Sequence, residues 1–386
     1  MRVLFLVTSF WAMGEFTIAK EFALRLKNSG HEVAFCLPPS LYKKSSSIFP
    51  TFTLIPNSRK LNQLIFHEIS YSFKPAIVIL SDFLNYHFSH KHYGITREDL
   101  DILGAKVATF DIYNWKQKRL RMDAYGIESS IPKVLNIDWY GDRILPCPLV
   151  DPKKVGKNEF GYCLINKEIS RSDVEKTKIL KKFNLDSNKK TILVTRASWQ
   201  SKIIKEDKVN RFISIVERNL SIIISYLKEK YQIICIGEKE KIYGQHNIFY
   251  FETLPPDDFD SIVSITDLYI NRNFISTSMA RMVLSGVKCV NFIHSGFTSL
   301  SEDFYAYKFR MFPVGWYDFL EPLVEDNPYF NLVESLKIFD INASIKKIEE
   351  LLSNEDDKHY TKLKLYKREL ALLDSPDTII KKIYER

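Results

Sequence analysis

The chain is poor in cysteine, has no long apolar run and carries no dense charge of one sign. Its five cysteines, Cys36, Cys147, Cys163, Cys235 and Cys289, are far apart, odd in number and mostly set in apolar stretches, with no Cys-x-x-Cys. That pattern is no disulfide framework; it reads as buried thiols in a reducing cytoplasm. No apolar run is long enough to cross a bilayer, so stable membrane insertion is not expected. Met1 to Val7 is apolar but short, has one basic residue and leads into a patterned helix without a convincing cleavage site, unlike a secretory signal. Lys and Arg exceed Asp and Glu by 55 to 47, a net +8. The surplus is spread along the chain, with its densest runs at Lys116–Arg121 and Lys362–Arg368. Diffuse charge of this kind suits anionic small ligands or solubility, and nucleic acid is not an expected partner. There is no repeat of fixed short period and no low-complexity tract.

What is present is alternation. At 386 residues two domains are the default, and 45% hydrophobic with 26% charged residues fits a globular chain. Val3–Val7 reads as a buried parallel strand. Phe16, Ala19, Phe22, Ala23 and Leu26 keep helical spacing, Gly30 ends that helix, and Val33–Leu37 is the next strand. Strands follow at Phe52–Ile55, Ala76–Leu80, Lys106–Phe110 and Ile144–Leu149, with a helix over Leu61–Phe73. Asp151–Glu168 has little periodicity and reads as an interdomain linker. The alternation restarts with a helix from Ser170 and strands at Thr191–Thr195, Gln232–Ile236, Ile248–Phe251 and Leu268–Ile270. The expected fold class is α/β with two Rossmann-like halves: residues 1–155, residues 165–360, and a helical tail over 361–386 packing back on the first half.

Asp267 to Phe292 is the most informative stretch. A short buried strand runs into Ser276, Thr277 and Ser278, any of which can cap the helix marked by Met279, Met282 and Val283. Gly286 closes that helix and a further strand begins. Three hydroxyls thus reach a helix N-terminus at the carboxyl end of a strand, where free N–H groups and the helix dipole suit a phosphate. Arg272 and Arg281 add charge nearby. An ordinary capped helix explains the same residues.

In the first half, carboxylates follow strand ends. Glu15 lies at the first strand–helix loop, Asp82 follows the strand ending at Leu80, and Asp111 follows the strand ending at Phe110. Each is a candidate general base, and each has a plainer role as first-turn dipole partner, cap or turn residue. His87, His90 and His92 form a His-x2-His-x-His cluster in what reads as a loop. Zinc would need more ligands, and none is expected. Asp258 and Asp260 imitate a metal-binding Asp-x-Asp, but opening a helix after Pro255-Pro256 they read as caps. Trp11, Tyr113, Trp115, Trp139 and Tyr140 cluster around predicted loops of the first half and offer aromatic faces to a ligand, although most such residues are simply core.

Two α/β halves, a linker and a helical tail resemble the GT-B class of glycosyltransferases. Leu24, Gly30, His31 and Val33 match the opening Leu-x5-Gly-His-x-Val. Phe249–Asn273 is similar to the segment leading to the nucleotide-sugar site, and Ile275–Val290 to the helix that receives the donor diphosphate. The His-Gly-Gly often found before that helix is absent, with Arg272 and Asn273 in its neighbourhood, and so is a Glu-x7-Glu pair.

The resemblance implies a deep interdomain cleft, a nucleoside-diphosphate sugar (UDP or TDP) on the second domain and a small hydroxyl-bearing acceptor, of natural-product type, on the first. The implied donor-binding residues are Arg196, Ser198, Arg272, Asn273, Ser276, Thr277 and Ser278. The implied acceptor-binding residues are Trp11, His87, Tyr113 and Trp115, and the base is sought among Asp111, Glu15 and Asp82. No cofactor beyond the donor substrate and no metal is expected, and a homodimer is left open. Rival readings are a sugar-nucleotide 2-epimerase of the same fold, a DNA-base glucosyltransferase and a non-catalytic nucleotide-sugar binder.

Overall fold

Short apolar runs bounded by glycine and proline become parallel strands in this chain. The computed structural model describes residues 1–9, 13–112, 114, 141–166, 169, 173–196, 207–237, 246–271, 276–293, 327–354 and 357–386. They form two units, one drawn from Met1–Arg119, Asn136–Ile165 and Arg368–Arg386, the other from Asn166–Lys367.

The first unit holds β1 (Arg2–Leu6), β2 (Glu32–Leu37), β3 (Thr51–Thr53), β4 (Ile77–Leu80), β5 (Lys106–Phe110), β6 (Asp142–Cys147) and β7 (Phe160–Cys163). They are ordered β3-β2-β1-β4-β5-β6-β7, and every neighbouring pair is parallel. Between them run α1 (Gly14–Asn28), α2 (Arg59–Ser72) and α3 (Phe83–Tyr93). One face of the sheet packs Leu4, Leu6, Val78 and Leu80 against Phe66 and Ile69 of α2. On the other, Phe5, Phe22, Phe35, Phe110 and Tyr162 form an aromatic cluster, with Phe22 edge-on to Tyr162 at 4.9 Å between centroids. Each such ring, fully buried, stabilises the fold by about 1.5–3 kcal/mol.

The second unit holds β8 (Thr191–Thr195), β9 (Gln232–Ile236), β10 (Ile248–Phe251), β11 (Leu268–Asn271), β12 (Lys288–Ile293) and β13 (Val333–Lys337), ordered β10-β9-β8-β11-β12-β13 and again all parallel. Its helices are α4 (Asp173–Lys182), α5 (Asp207–Leu227), α6 (Pro256–Ile265), α7 (Thr277–Leu284) and α8 (Ile341–Ser353). Ile192, Val194, Leu268, Ile270, Val290 and Phe292 turn one face of the sheet toward α5 and α8 in a continuous apolar core. Among the described residues no helix is long and apolar enough to cross a membrane.

Two sequence expectations change. The stretch read as a linker contains β7, an edge strand of four residues whose flanking Pro152, Gly156 and lysines mask its periodicity. The histidine cluster lies on α3 rather than in a loop, because Tyr86 and Tyr93 anchor that helix in the core.

The chain ends with α9 (Asp357–Ala371) and α10 (Pro376–Glu385), and α10 lays Ile379, Ile380 and Ile383 into the first unit beside α1 and β5. The Asp377 carboxylate lies 2.8 Å from Nε2 of the nearly buried His31, whose Nδ1 is 3.1 Å from the N-terminal amine. Hydrogen bonds from Lys381 and then from His31 hold the Asp377 carboxyl below its ordinary range. A carboxyl depressed by folding stabilises the native state above its unfolded pKa and loses that contribution as pH falls through the folded value. Asp377→Asn is therefore expected to give a shallower fall of Tm with acidification below about pH 4 than the parent chain. Calorimetric scans of both proteins across that window check this; identical slopes would show that Asp377 carries no proton-linked stability.

Candidate functional site

The carboxyl edge of the second sheet is built from β8, β11 and the start of α7. Ser276 is the N-cap of α7, extended at φ −127° and ψ 126°, and its Oγ accepts the Met279 N–H at 3.2 Å. The Ala280 N–H returns to the Ser276 carbonyl at 3.0 Å. The first-turn N–H groups of Thr277 and Ser278 have no acceptor among the described residues, as expected for positions whose intrahelical partner would lie before the helix. No acidic residue occupies this first turn. Met279, Ala280, Met282 and Val283 are buried and hold the helix down, while Ser276, Thr277 and Ser278 stay half-buried at the edge.

Beneath that turn sits Tyr269. Its phenol is bonded to the Thr195 hydroxyl at the end of β8 and donates to Asn271 Oδ1 at 3.2 Å. Burial pushes the phenol's pKa well up, against the opposing pull of the Thr195 hydroxyl, so it stays a neutral donor at ordinary pH. Asn271 and Asn291 are register partners on β11 and β12, both buried. Asn271 spends an N–H on the Met279 sulfur, a weak acceptor, at 3.2 Å. The Asn291 amide has no hydrogen-bond partner among the described residues.

Two of the cations that the sequence places near this edge are ion-paired. Arg281 is ion-paired with Asp260 of α6, so its charge is spent within the packing. Arg196 follows β8 and holds Glu217 of α5 at 3.3 Å. Its carbonyl presses on Gly237, where a Cβ would lie 2.3 Å away and φ is +116°, so glycine is required for the two strand ends to approach this closely. Asp258 and Asp260 cap nothing, since the N-cap of α6 is Pro255 with no side-chain cap bond; Asp258 pairs with Lys182 and Asp260 with Arg281. Arg272, Asn273 and Ser198 lie outside the described residues, as do Trp11, Tyr113 and Trp115.

In the first unit the three carboxylates occupy one sheet edge. Glu15 sits in the first turn of α1 after β1, Asp82 immediately precedes α3 after β4, and Asp111 follows β5, on strands that neighbour one another. All three are buried, beside the equally buried Thr8, Ser9 and Ser81. His87 lies on α3 with its side chain outside the described residues; the His90 Nδ1 is 2.9 Å from the Tyr86 carbonyl, and His92 is edge-on to Tyr93. Among the described residues no group of three potential metal ligands forms. Burial pushes the thiols of Cys36 and Cys147 up, leaving them unreactive.

Asp111, the first choice for a base on sequence grounds, is committed elsewhere. The Arg143 guanidinium on β6, itself 2% exposed, donates through Nε to Asp111 Oδ2 at 3.1 Å and through Nη2 to Asn114 Oδ1 at 2.7 Å, and it also pairs with Glu159. A carboxylate that neutralises a buried cation is a structural counter-ion first. Sequence reading missed Arg143 because it stands at the head of an apolar strand, 32 residues from its partner. Asp111→Ala is expected to destabilise the fold by about 3–5 kcal/mol, since one side of a buried pair is removed. Chemical denaturation measures this, and a loss under about 1 kcal/mol would show that Glu159 alone suffices for Arg143.

Comparison with known proteins places this architecture. Residues 22–306 and 304–386 match the family described as "Family of unknown function (DUF6365)". No protein of curated function matches the sequence. Among solved structures the chain is similar over its whole length to the spinosyn forosaminyltransferase SpnP, with 13% identity, a TM-score of 0.61 and 100% of both chains covered. It is also similar to the glycosyltransferase VinC in complex with dTDP (10% identity, TM-score 0.55, 100% of this chain and 99% of that one). SsfS6 of Streptomyces sp. SF2575, complexed with thymidine diphosphate, gives 10% identity and a TM-score of 0.51 with both chains fully covered. The two parallel sheets are thus those of the GT-B fold, and by sequence the chain belongs to the family of unknown function DUF6365.

Proposed function

We propose that this chain is a glycosyltransferase that moves a sugar from a nucleoside-diphosphate donor to a small, natural-product-type acceptor hydroxyl. The observation that carries the reading is the start of α7. A Ser276-capped helix with two unspent backbone donors and three hydroxyls stands at the carboxyl edge of the second sheet. The fold around it is shared end to end with glycosyltransferases that hold thymidine diphosphate. In the proposed step the acceptor oxygen attacks the anomeric carbon, its proton goes to a carboxylate, and the bond to the diphosphate breaks. The first-turn N–H groups of Thr277 and Ser278 stabilise the charge on the leaving diphosphate. The reading is metal-independent: the Asp258–Asp260 pair, the sequence's best mimic of a metal-binding carboxylate pair, is tied up by Lys182 and Arg281.

For the base we favour Glu15 and Asp82 over Asp111, which is pinned to Arg143. Both stand at the carboxyl ends of adjacent central strands, where ligands of open α/β sheets bind.

Titration calorimetry of the full chain with UDP and TDP is expected to show binding of at least one. Thr277→Ala should weaken it by about 1–2 kcal/mol, the scale of a hydrogen bond to a charged group. Absence of binding at millimolar nucleotide would remove the main support. Of Glu15→Gln and Asp82→Asn, at least one is expected to lower transfer by about 10²–10⁴-fold while keeping donor affinity. Near-normal turnover in both would place the base elsewhere.

A further inference from the structure

The outward face of α2 is more apolar than a solvated helix face needs to be. Leu61, Leu64 and Tyr71 are 48%, 63% and 84% exposed. Among the described residues no other helix exposes more than two large apolar side chains. At about 100° per residue, Leu61, Leu64, Glu68 and Tyr71 fall within one stripe of about 80°. The stripe lies opposite Asn62, Phe66 and Ile69, the buried residues of α2. Single exposed apolar residues are ordinary, whereas a contiguous stripe rimmed by charge marks an interface.

The charges on the stripe say what covers it. Lys60, Leu64 and Glu68 follow one another at intervals of four, so they form a single row along the helix. Lys60 and Glu68 are exposed, stand about 12 Å apart along the axis, and form no ion pair among the described residues. A row with a cation at one end, leucine in the middle and a carboxylate at the other is complementary to its own copy turned end for end. Rows of this spacing interdigitate in the commonest crossing of two helices, at about −50°. We propose that this chain forms a two-fold homodimer in which α2 packs antiparallel on α2 of a second copy. Leu64 sits at the two-fold axis with Leu61 beside it, Lys60 of each copy faces Glu68 of the other, and Tyr71 reaches toward the start of the other helix. Every such pairing occurs twice, because the interface is isologous.

The helix is held ready for this. Asn62 Oδ1 accepts the Ile55 N–H at 2.8 Å, and its amide donates to the Ile55 and Tyr93 carbonyls at 2.8 and 2.7 Å. Phe66 and Ile69 are fully buried, so the outward stripe is fixed before a partner arrives and little ordering entropy opposes docking. The stripe lies wholly within the first unit and is independent of the glycosyltransferase reading.

Sedimentation velocity and multi-angle light scattering on the full chain test this. The parent is expected to approach twice the 45.2 kDa of one chain as its concentration rises through the micromolar range. Leu64→Glu, at an exposed position that leaves the core untouched, is expected to stay at the mass of one chain with its Tm unchanged. Lys60→Glu and Glu68→Lys each set like charges opposite one another at both ends of the row. Each is expected to raise the dimer Kd about tenfold or more. The double variant exchanges the two ends and is expected to return Kd to within about threefold of the parent. A parent that keeps the mass of one chain at every concentration overturns the proposal, whatever other protein the stripe then binds. A dimer that survives Leu64→Glu has its interface elsewhere and overturns it as well. Charge reversals that do not weaken the dimer, or that the double variant does not repair, overturn the antiparallel pairing.

Discussion

Both sheets are parallel and apolar on both faces, and that constraint governs where chemistry can sit. A parallel sheet is covered by its crossover helices, so side chains in mid-strand have no access to water. Leu4, Ile79, Leu193 and Ile270 are all fully buried for this reason. Polar groups are pushed to the strand ends. In each unit the order turns back on itself, at β1 and β4 in the first and at β8 and β11 in the second. Loops on either side of such a point leave in opposite directions and open a crevice at the carboxyl edge. Thr8, Ser9, Asp82, Thr195, Asn271 and Ser276 all fall there.

Polar groups near those edges are then held by pairing. Arg143 is among the largest fully buried side chains and is tolerated because Asp111, Asn114 and Glu159 surround it. Desolvating the guanidinium costs several kcal/mol, which the two carboxylates offset. Arg281 and Asp260 do the same for the packing of α6 on α7. These pairs withdraw charges that look available on a one-dimensional reading. The first unit places Glu15 after β1 and Asp82 after β4, and the second places neutral hydroxyls at the start of α7.

Much of the fold was legible in the sequence because buried parallel strands leave a local signature. Lys106–Phe110, Thr191–Thr195, Gln232–Ile236 and Ile248–Phe251 are strands with the very ends that apolar runs and turn residues indicate. The Ser276 cap follows from the same local logic. Elements lacking a local signature were missed. Phe160–Cys163 is a strand because β6 offers it an edge, and α3 is helical because Tyr86 and Tyr93 have a core to enter. The ion pairs are harder still. Arg143 finds Asp111 across 32 residues and Arg281 finds Asp260 across 21, through register and helix packing that no spacing rule contains.

The start of α7 is a hydroxyl-capped helix end with no carboxylate in its first turn. α1 carries Glu15 in its first turn, α6 carries Asp257 and Asp258, and α10 carries Asp377, so each of these helices meets its own dipole with a carboxylate. α7 has none. Its cap is a hydroxyl that satisfies one N–H and leaves two without an acceptor among the described residues, and beneath it lies the buried Tyr269 phenol. Burying that oxygen is costly unless its partners are all in place. Thr195 and Asn271 supply them, and they tie together the ends of β8 and β11.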